Sequence, residues 1–376
     1  MFVRTFAGSL GVAVVGLVAG YLYGGGTGLA LTAILAVLEV SLSFDNAVVN
    51  ATVLRRMSAF WQRIFLTVGV AIAVFGMRLL FPLLIVGITA KLTPSEAIRL
   101  ALEKGDPNKP GTYGYLLHQA HPAIAAFGGM FLLMLFLDFV FEERELTWLT
   151  WIERPLARIG KLDQLSVVIA LVVLAVAGYT LGTSSDTAQP DRTSTVLLSG
   201  ILGLATYLLV NGLGEFFEDV GDEGDDGAES GADSARQRAQ TRQVVGRAAF
   251  FLFLYLEVLD ASFSFDGVIG AFAITSDPII IAIGLGIGAM FIRSLTVFLV
   301  RKGTLAEYEY LEHGALWAIG ALAVILLITI EYEVPELVTG LVGVAFIGAA
   351  FASSLVRNRN KARLEAEQPD NQPARV

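Results

Sequence analysis

Long apolar runs separated by short polar stretches dominate the chain. Ten such windows lie at roughly 5–23, 28–54, 63–88, 121–141, 164–182, 195–214, 247–273, 277–300, 313–330 and 334–356. About twenty apolar residues in an α-helix cross the hydrocarbon core of a bilayer, so the pattern predicts an all-α polytopic membrane protein with ten transmembrane helices. Arg4 ahead of the first run gives it the look of a signal peptide. The segment Tyr21-Leu22-Tyr23-Gly24 offers no small-x-small cleavage site, however, and the run reads as a retained span.

Composition agrees with lipid as the solvent. Of 376 residues, 55% are hydrophobic and 16% charged, where a soluble domain carries roughly 25% charged residues. An ordinary cytosolic enzyme is excluded. Cys is absent and there are three His, which removes disulfides, thiolate metal sites and cysteine nucleophiles and leaves oxygen as the donor for any metal. The net charge of −9 is local: residues 215–235 hold nine acids and no base, and the remainder of the chain balances. No basic field of the kind nucleic acid requires is present.

Alternate connections divide the Lys and Arg residues into nineteen on the side of the N-terminus and five on the other. Cytoplasmic segments retain the excess of positive charge, so both termini are expected in the cytoplasm. A missed or invented span would exchange the sides of every later connection and blur the split.

The chain repeats itself. Residues 38–48, Leu-Glu-Val-Ser-Leu-Ser-Phe-Asp-Asn-Ala-Val, match 259–269, Leu-Asp-Ala-Ser-Phe-Ser-Phe-Asp-Gly-Val-Ile; Arg78 and Arg293 occupy similar settings in the spans that follow, and His121 matches His313. Three matches in one order argue for duplication. Five spans per half is an odd number, so the halves are expected to be inverted, as in secondary transporters that alternate access around a midplane site. The domains expected are a first repeat over 1–182, the first span of the second repeat over 183–214, an acidic cytoplasmic linker over 215–246, the rest of the second repeat over 247–356, and a disordered cytoplasmic tail over 357–376.

Glu39, Asp45, Arg78, Asp138, Glu257, Asp260, Asp266 and Arg293 all lie within apolar runs. Ionisable groups at that depth cost several kcal/mol (order of magnitude) unless paired or hydrated, and they mark pathways and sites. Two arginines neutralise at most two of the five motif carboxylates. Glu39, Ser43, Asn46 and Asn50 share one helix face, whereas Ser41 and Asp45 share another; in the second copy Glu257, Asp260 and Ser264 share a face and Asp266 is displaced, with Ser262 alongside in the motif. A straight helix cannot aim both acids at one centre, so a helix broken at each Ser-x-Ser-Phe-Asp is expected, with freed carbonyls lining a polar cavity. Carboxylates, hydroxyls and an amide suit a hard divalent cation in an oxygen shell. Protons are candidate coupling ions, because close carboxylates cannot all stay ionised.

The acid-x-Ser-x-Ser-Phe-Asp-Asn segment and its Phe-Ser-Phe-Asp-Gly counterpart resemble the paired motifs of the TerC/Alx family of bacterial membrane proteins, within the wider group of LysE-type exporters. The resemblance implies a protein of the bacterial plasma (inner) membrane that exports metal ions, chiefly Mn²⁺, with a link to tellurium resistance. It carries the family's metal-binding positions onto Glu39, Asp45, Glu257, Asp260 and Asp266, with Asn46 beside them. The departures are Gly267 in place of a second Asn, ten spans and the acidic connection.

The function expected is a secondary transporter exporting a divalent cation by alternating access, with no permanently bound cofactor and no enzymatic activity. Ser41, Ser43, Asn46, Ser262, Ser264, Arg78, Arg293 and Asp138 would support the site, the arginines holding carboxylates in the empty state. Asp138, near the inner end of the fourth span, is a candidate entry or exit point. His121 and His313 are expected to cap helix ends at the interface, and glycines at 16, 20, 284, 286 and 288 to permit close helix packing. The rivals are a structural or stress-sensing protein whose acidic loop recruits a cytoplasmic partner, and an intramembrane aspartyl hydrolase using Asp45 and Asp266.

Overall fold

The computed structural model describes residues 2–103, 105–106, 108–144, 146–160, 162, 164–182, 192–223, 246–275, 277–302 and 308–367. All of its long elements are helices. Seven are long and apolar enough to cross a membrane, which makes the chain a multi-pass membrane protein.

α1 (Phe2–Leu42) is interrupted by non-helical backbone at Gly24 and Gly25, the latter at φ 62°, a region that only glycine enters without strain. The chain doubles back there. Gly20 lies against Gly28 and Thr32, residues that a straight helix would place about 12 Å away or more at 1.5 Å per residue. Both legs pack on α11 (Pro278–Lys302): Gly16 faces Ile287, Gly284 faces Leu35 and Gly288 faces Glu39. The absence of a Cβ at Gly284 and Gly288 lets α11 approach the second leg at van der Waals distance.

α2 (Phe44–Arg56) follows after a bend at Ser43, whose φ and ψ are −101° and 16°. α3 (Ala59–Ile64) runs into two π-helical stretches, Phe65–Gly69 and Ile72–Leu80, then α4 (Phe81–Thr89) and the short α5 (Pro94–Leu102), which a Thr93/Glu96 capping box initiates. α6 (Tyr113–Phe141) packs against α9 (Thr193–Glu223) and α12 (Leu311–Ile328). α7 (Thr150–Ile159) is amphipathic, and α8 (Leu165–Leu181) lies on α9, with Gly178 against Leu197 and Gly200 against Leu174. α10 (Gly246–Ile274) and α13 (Glu336–Glu367) complete the bundle.

Two features differ from the expected pattern. α10 is continuous through Ser262–Asp266, so the second motif is not broken. In the first motif the bend is mild, since the Ser43 amide still donates to the Glu39 carbonyl at 3.0 Å and the Ala47 amide to that of Ser43 at 3.3 Å. The Ser262 hydroxyl bonds within its own helix, donating to the Val258 carbonyl at 3.0 Å, and the helix through the motif stays intact. The second difference concerns the connections. α9 continues to Glu223 and α13 to Glu367, so 215–223 and 357–367 are helical. The rest of the acidic linker through 245 and the tail beyond 367 lie outside the described residues.

Candidate functional site

The second leg of α1, α2, the π-helical segment, α10 and α11 converge on a buried polar cluster. Glu39 is 1% exposed, Ser43 4%, Asn46 and Asn50 2%, Arg78 4%, Glu257 5%, Asp260 7% and Arg293 9%. The face predicted from spacing in the first motif, Glu39, Ser43, Asn46 and Asn50, turns inward as one stripe.

Arg78 pairs with Glu39. Its Nη2 donates to Glu39 Oε1, its Nη1 to the Ala73 carbonyl, and Ser43 Oγ donates to the same Glu39 oxygen at 3.0 Å. The carbonyl it reaches is five residues back, inside the π-helical turn Ile72–Leu80. Such turns are rare and concentrate at functional sites; sequence patterning missed this one, and the only trace is an apolar stretch, Ala59–Ile88, of 30 residues, longer than a bilayer requires.

Contacts between the two motifs are reciprocal. Asn46 Nδ2 donates to Asp260 Oδ1 at 2.6 Å, and a Cβ on Gly267 would lie 3.0 Å from Glu39 Oε2. Asp260 stands in the second copy where Glu39 stands in the first, and Gly267 where Asn46 stands. Near the other end of the cluster, a Cβ on Gly69 would lie 2.6 Å from Glu257 Oε1 and 3.0 Å from Arg293 Nη2. The Arg293 guanidinium lies over the Phe65 ring at 3.8 Å, a favourable place for a cation away from water. Asp260 is within electrostatic reach of both arginines.

Several acceptors in the cluster remain unused. Glu39 Oε2, both oxygens of Glu257, Asp260 Oδ2 and Asn50 Oδ1 are buried with no hydrogen-bond partner among the described residues. Among the described residues, three acidic side chains, Glu39, Glu257 and Asp260, face two guanidiniums, those of Arg78 and Arg293. The side chains of Ser41, Asp45, Ser264 and Asp266 lie outside the described residues. Among the described residues no three acids or histidines come together as a group that could hold a metal ion.

Asp138 does not join this cluster. It accepts a hydrogen bond from the Tyr207 hydroxyl at 2.7 Å beside a cavity nearer the Arg56 and Arg144 face.

A second polar node went unnoticed in the sequence. Glu153 of α7, 5% exposed, accepts from the Trp148 amide at 3.0 Å, the Leu149 amide at 3.1 Å and Trp317 Nε1 at 3.0 Å, and its Oε2 is 3.5 Å from His313 Nδ1, long for a hydrogen bond. Burial pushes its carboxyl upward, but the nearby His313 and the bonds from Trp317 and the Leu149 amide together hold it down at about 2. His313 is therefore buried in an anchor for α7, whereas His121 lies a turn and more inside α6, and neither caps a helix end. The amphipathic spacing of α7 was the available signal.

Fold and cluster define a helical multi-pass membrane protein with a buried carboxylate–arginine centre. A family model described as a protein of unknown function, DUF475, matches residues 44–361, and the chain belongs to the DUF475 family. This assignment overturns the resemblance to the TerC/Alx family; the shared motif is short, and serines and acids on an intramembrane helix face recur wherever a polar site is built in lipid. No curated protein and no solved structure matches the chain.

Proposed function

We propose that the protein is a secondary transporter that moves a hard divalent cation through the central cluster by alternating access. The observation that supports this reading is the set of buried carboxylate oxygens, without a hydrogen-bond partner among the described residues, beside two guanidiniums. A buried acceptor without a partner costs on the order of 1–3 kcal/mol, and five of them favour a positively charged guest as the missing partner. Arg78 on Glu39 is then the substitute cation of one state. A guest that claims Glu39 displaces Arg78, which couples binding to a shift of the π-helical segment.

The same reading has ten crossings in two inverted halves. Its supports are the reversal at Gly24–Gly25, the apolar α8, and α10, a helix of 29 residues whose sequence is largely apolar around its three acids. The reciprocal pairing of Asn46 with Asp260 and of Glu39 with Gly267 is what a two-fold relation between the copies requires. On this view the face carrying Arg56, Arg144 and Arg158 is cytoplasmic, and the membrane is the bacterial inner membrane. Mn²⁺ and the export direction were implied by the withdrawn resemblance; the residues themselves specify oxygen-seeking cations, with Mn²⁺, Mg²⁺ and Ca²⁺ all suited.

Reconstituted vesicles test the reading. Mn²⁺, Mg²⁺ or Ca²⁺ flux should appear with the native chain and fall at least tenfold in Asp260→Asn, which keeps the shape and loses the charge. No flux of any of the three, or equal flux in the variant, removes it.

A further inference from the structure

A cavity of about 580 Å³ opens on the face that carries Arg56 and Arg144 and is lined in part by Thr52, Leu135, Asp138, Tyr207 and Tyr255. It approaches the carboxylate cluster along two helices. On α6, Gly128 lies against Ser262, its Cβ position 3.6 Å from the serine Cβ, at the level of the cluster; Phe131 follows one turn later, and Leu135 and Asp138 line the cavity. On α10 the order is reversed, with Tyr255 at the cavity and Glu257, Asp260 and Ser262 behind it.

Three rings fill the space between. Phe131 and Tyr207 have centroids 5.5 Å apart, Phe131 and Tyr255 6.0 Å, and Tyr207 and Tyr255 6.5 Å. The layer is buried, at 0%, 3% and 8% exposure for Phe131, Tyr207 and Tyr255. One of its members is fixed by the cavity's own carboxylate, through the 2.7 Å bond from Tyr207 to Asp138. Leu35, Val86, Leu117, Val268 and Leu285 form a separate buried apolar cluster. Among the described residues, packed aliphatic side chains thus flank the carboxylate cluster on one side and these three rings stand between it and the cavity on the other.

We propose that this cavity is the vestibule of the cation path, and that Asp138 is its first cation-binding carboxylate, whose hydrogen bond from Tyr207 latches the aromatic layer shut. A cation drawn to Asp138 competes for the oxygen that Tyr207 uses, so arrival of the guest frees the ring and opens the way to Asp260 and Glu257. The proposal rests on the cation-transport reading for the guest, and on packing alone for the latch.

The chain has no cysteine, so single-cysteine variants in sealed vesicles can be read with a membrane-impermeant thiol reagent against no background. Arg158→Cys and Asn108→Cys mark the two faces. Thr52→Cys is expected to react from the side of Arg158→Cys in every background, which also reports that each variant is folded. Ser262→Cys, behind the rings, is expected to react slowly, and to react roughly tenfold faster with Tyr207→Phe, the factor that about 1.4 kcal/mol of a hydrogen bond to a charged group supplies. Mn²⁺, as the probe cation, should produce the same acceleration in the native background and none with Asp138→Asn, which can still accept from Tyr207.

Labelling of Thr52→Cys from the Asn108 side, or an unchanged rate at position 262 with Tyr207→Phe, overturns the vestibule and its latch. A Mn²⁺ response that survives Asp138→Asn overturns the role of Asp138. Absence of any Mn²⁺ response, with Tyr207→Phe still exposing position 262, removes the cation role of Asp138 and the transport reading together while the latch stands.

Discussion

Arg78→Met is the perturbation that discriminates most sharply among accounts of the cluster. Arg78 and Glu39 are 4% and 1% exposed, and the guanidinium binds both Glu39 Oε1 and the Ala73 carbonyl. Met fills much of the same space without charge. The variant leaves Glu39 with one hydrogen bond among the described residues, from Ser43 at 3.0 Å, in a site that also holds the acids Asp260 and Glu257. Breaking one side of a buried pair costs about 3–5 kcal/mol, because the orphaned charge dominates the loss. Removing the charge as well should recover much of it: Arg78→Met with Glu39→Gln is expected to regain about 2 kcal/mol or more relative to the single variant. Reversible unfolding in mixed detergent micelles, followed by far-ultraviolet circular dichroism, measures both. A single variant within about 1 kcal/mol of the native chain, the range of solvent-exposed pairs, would mean that water reaches the pair and that the cluster is not the dry site inferred from its burial.

Other consequences follow from particular contacts. Glu153 has its carboxyl depressed in the folded state to about 2 from 4.5, so its stabilisation is complete above pH 4.5 and is lost as the pH falls through about 2; the shift corresponds to roughly 3 kcal/mol. Glu153→Gln should abolish that acid dependence and alter the fluorescence of Trp317, whose indole donates to it; an unchanged acid limb in the variant would refute the anchor. Gly288→Ala places a methyl group on the Glu39 side chain and is expected to destabilise by about 1–3 kcal/mol through overpacking, whereas Gly348→Ala, with open space around it, should be near neutral; equal melting temperatures for the two would contradict the close approach. Saturating Mn²⁺, at about a hundred times its dissociation constant, should stabilise the native chain by about 2.7 kcal/mol in the same unfolding assay, and Glu257→Gln should halve that gain or remove it. A gain of the same size in the variant would place the cation elsewhere.

What the sequence discloses here follows the physics of lipid. Residues in an apolar solvent must be apolar, so the multi-pass helical class is legible in the long apolar runs, the break before residue 28 shows between two of them, and Glu39, Arg78, Asp260 and Arg293 stand out as charged exceptions within them. The inward stripe of Glu39, Ser43, Asn46 and Asn50 follows from helical spacing alone, and of the paired motifs Asn46 and Asp260 are in contact. Backbone detail was less accessible. The π-helical turn that brings Arg78 to the Ala73 carbonyl depends on neighbours distant in sequence, and in the unbroken α10 the Ser262 hydroxyl bonds to its own helix while the ladder stays intact. Glu153 was hidden for another reason: on α7 it sits among Arg154 and Arg158 and reads as one more interfacial charge until His313 and Trp317 of α12 close over it. The aromatic layer of Phe131, Tyr207 and Tyr255 was equally silent, since single rings in apolar spans are indistinguishable from ordinary core.

The central claim is that acids from both copies of the repeated motif share one cation. Equilibrium binding of Mn²⁺ to the purified protein, by dialysis with metal analysis, tests it directly when the native chain is compared with Glu39→Gln and with Asp260→Asn. The account predicts saturable binding in the native chain that is weakened at least tenfold by either substitution alone. Native binding that survives one substitution unchanged and is lost in the other would assign the cation to a single half and contradict the shared site.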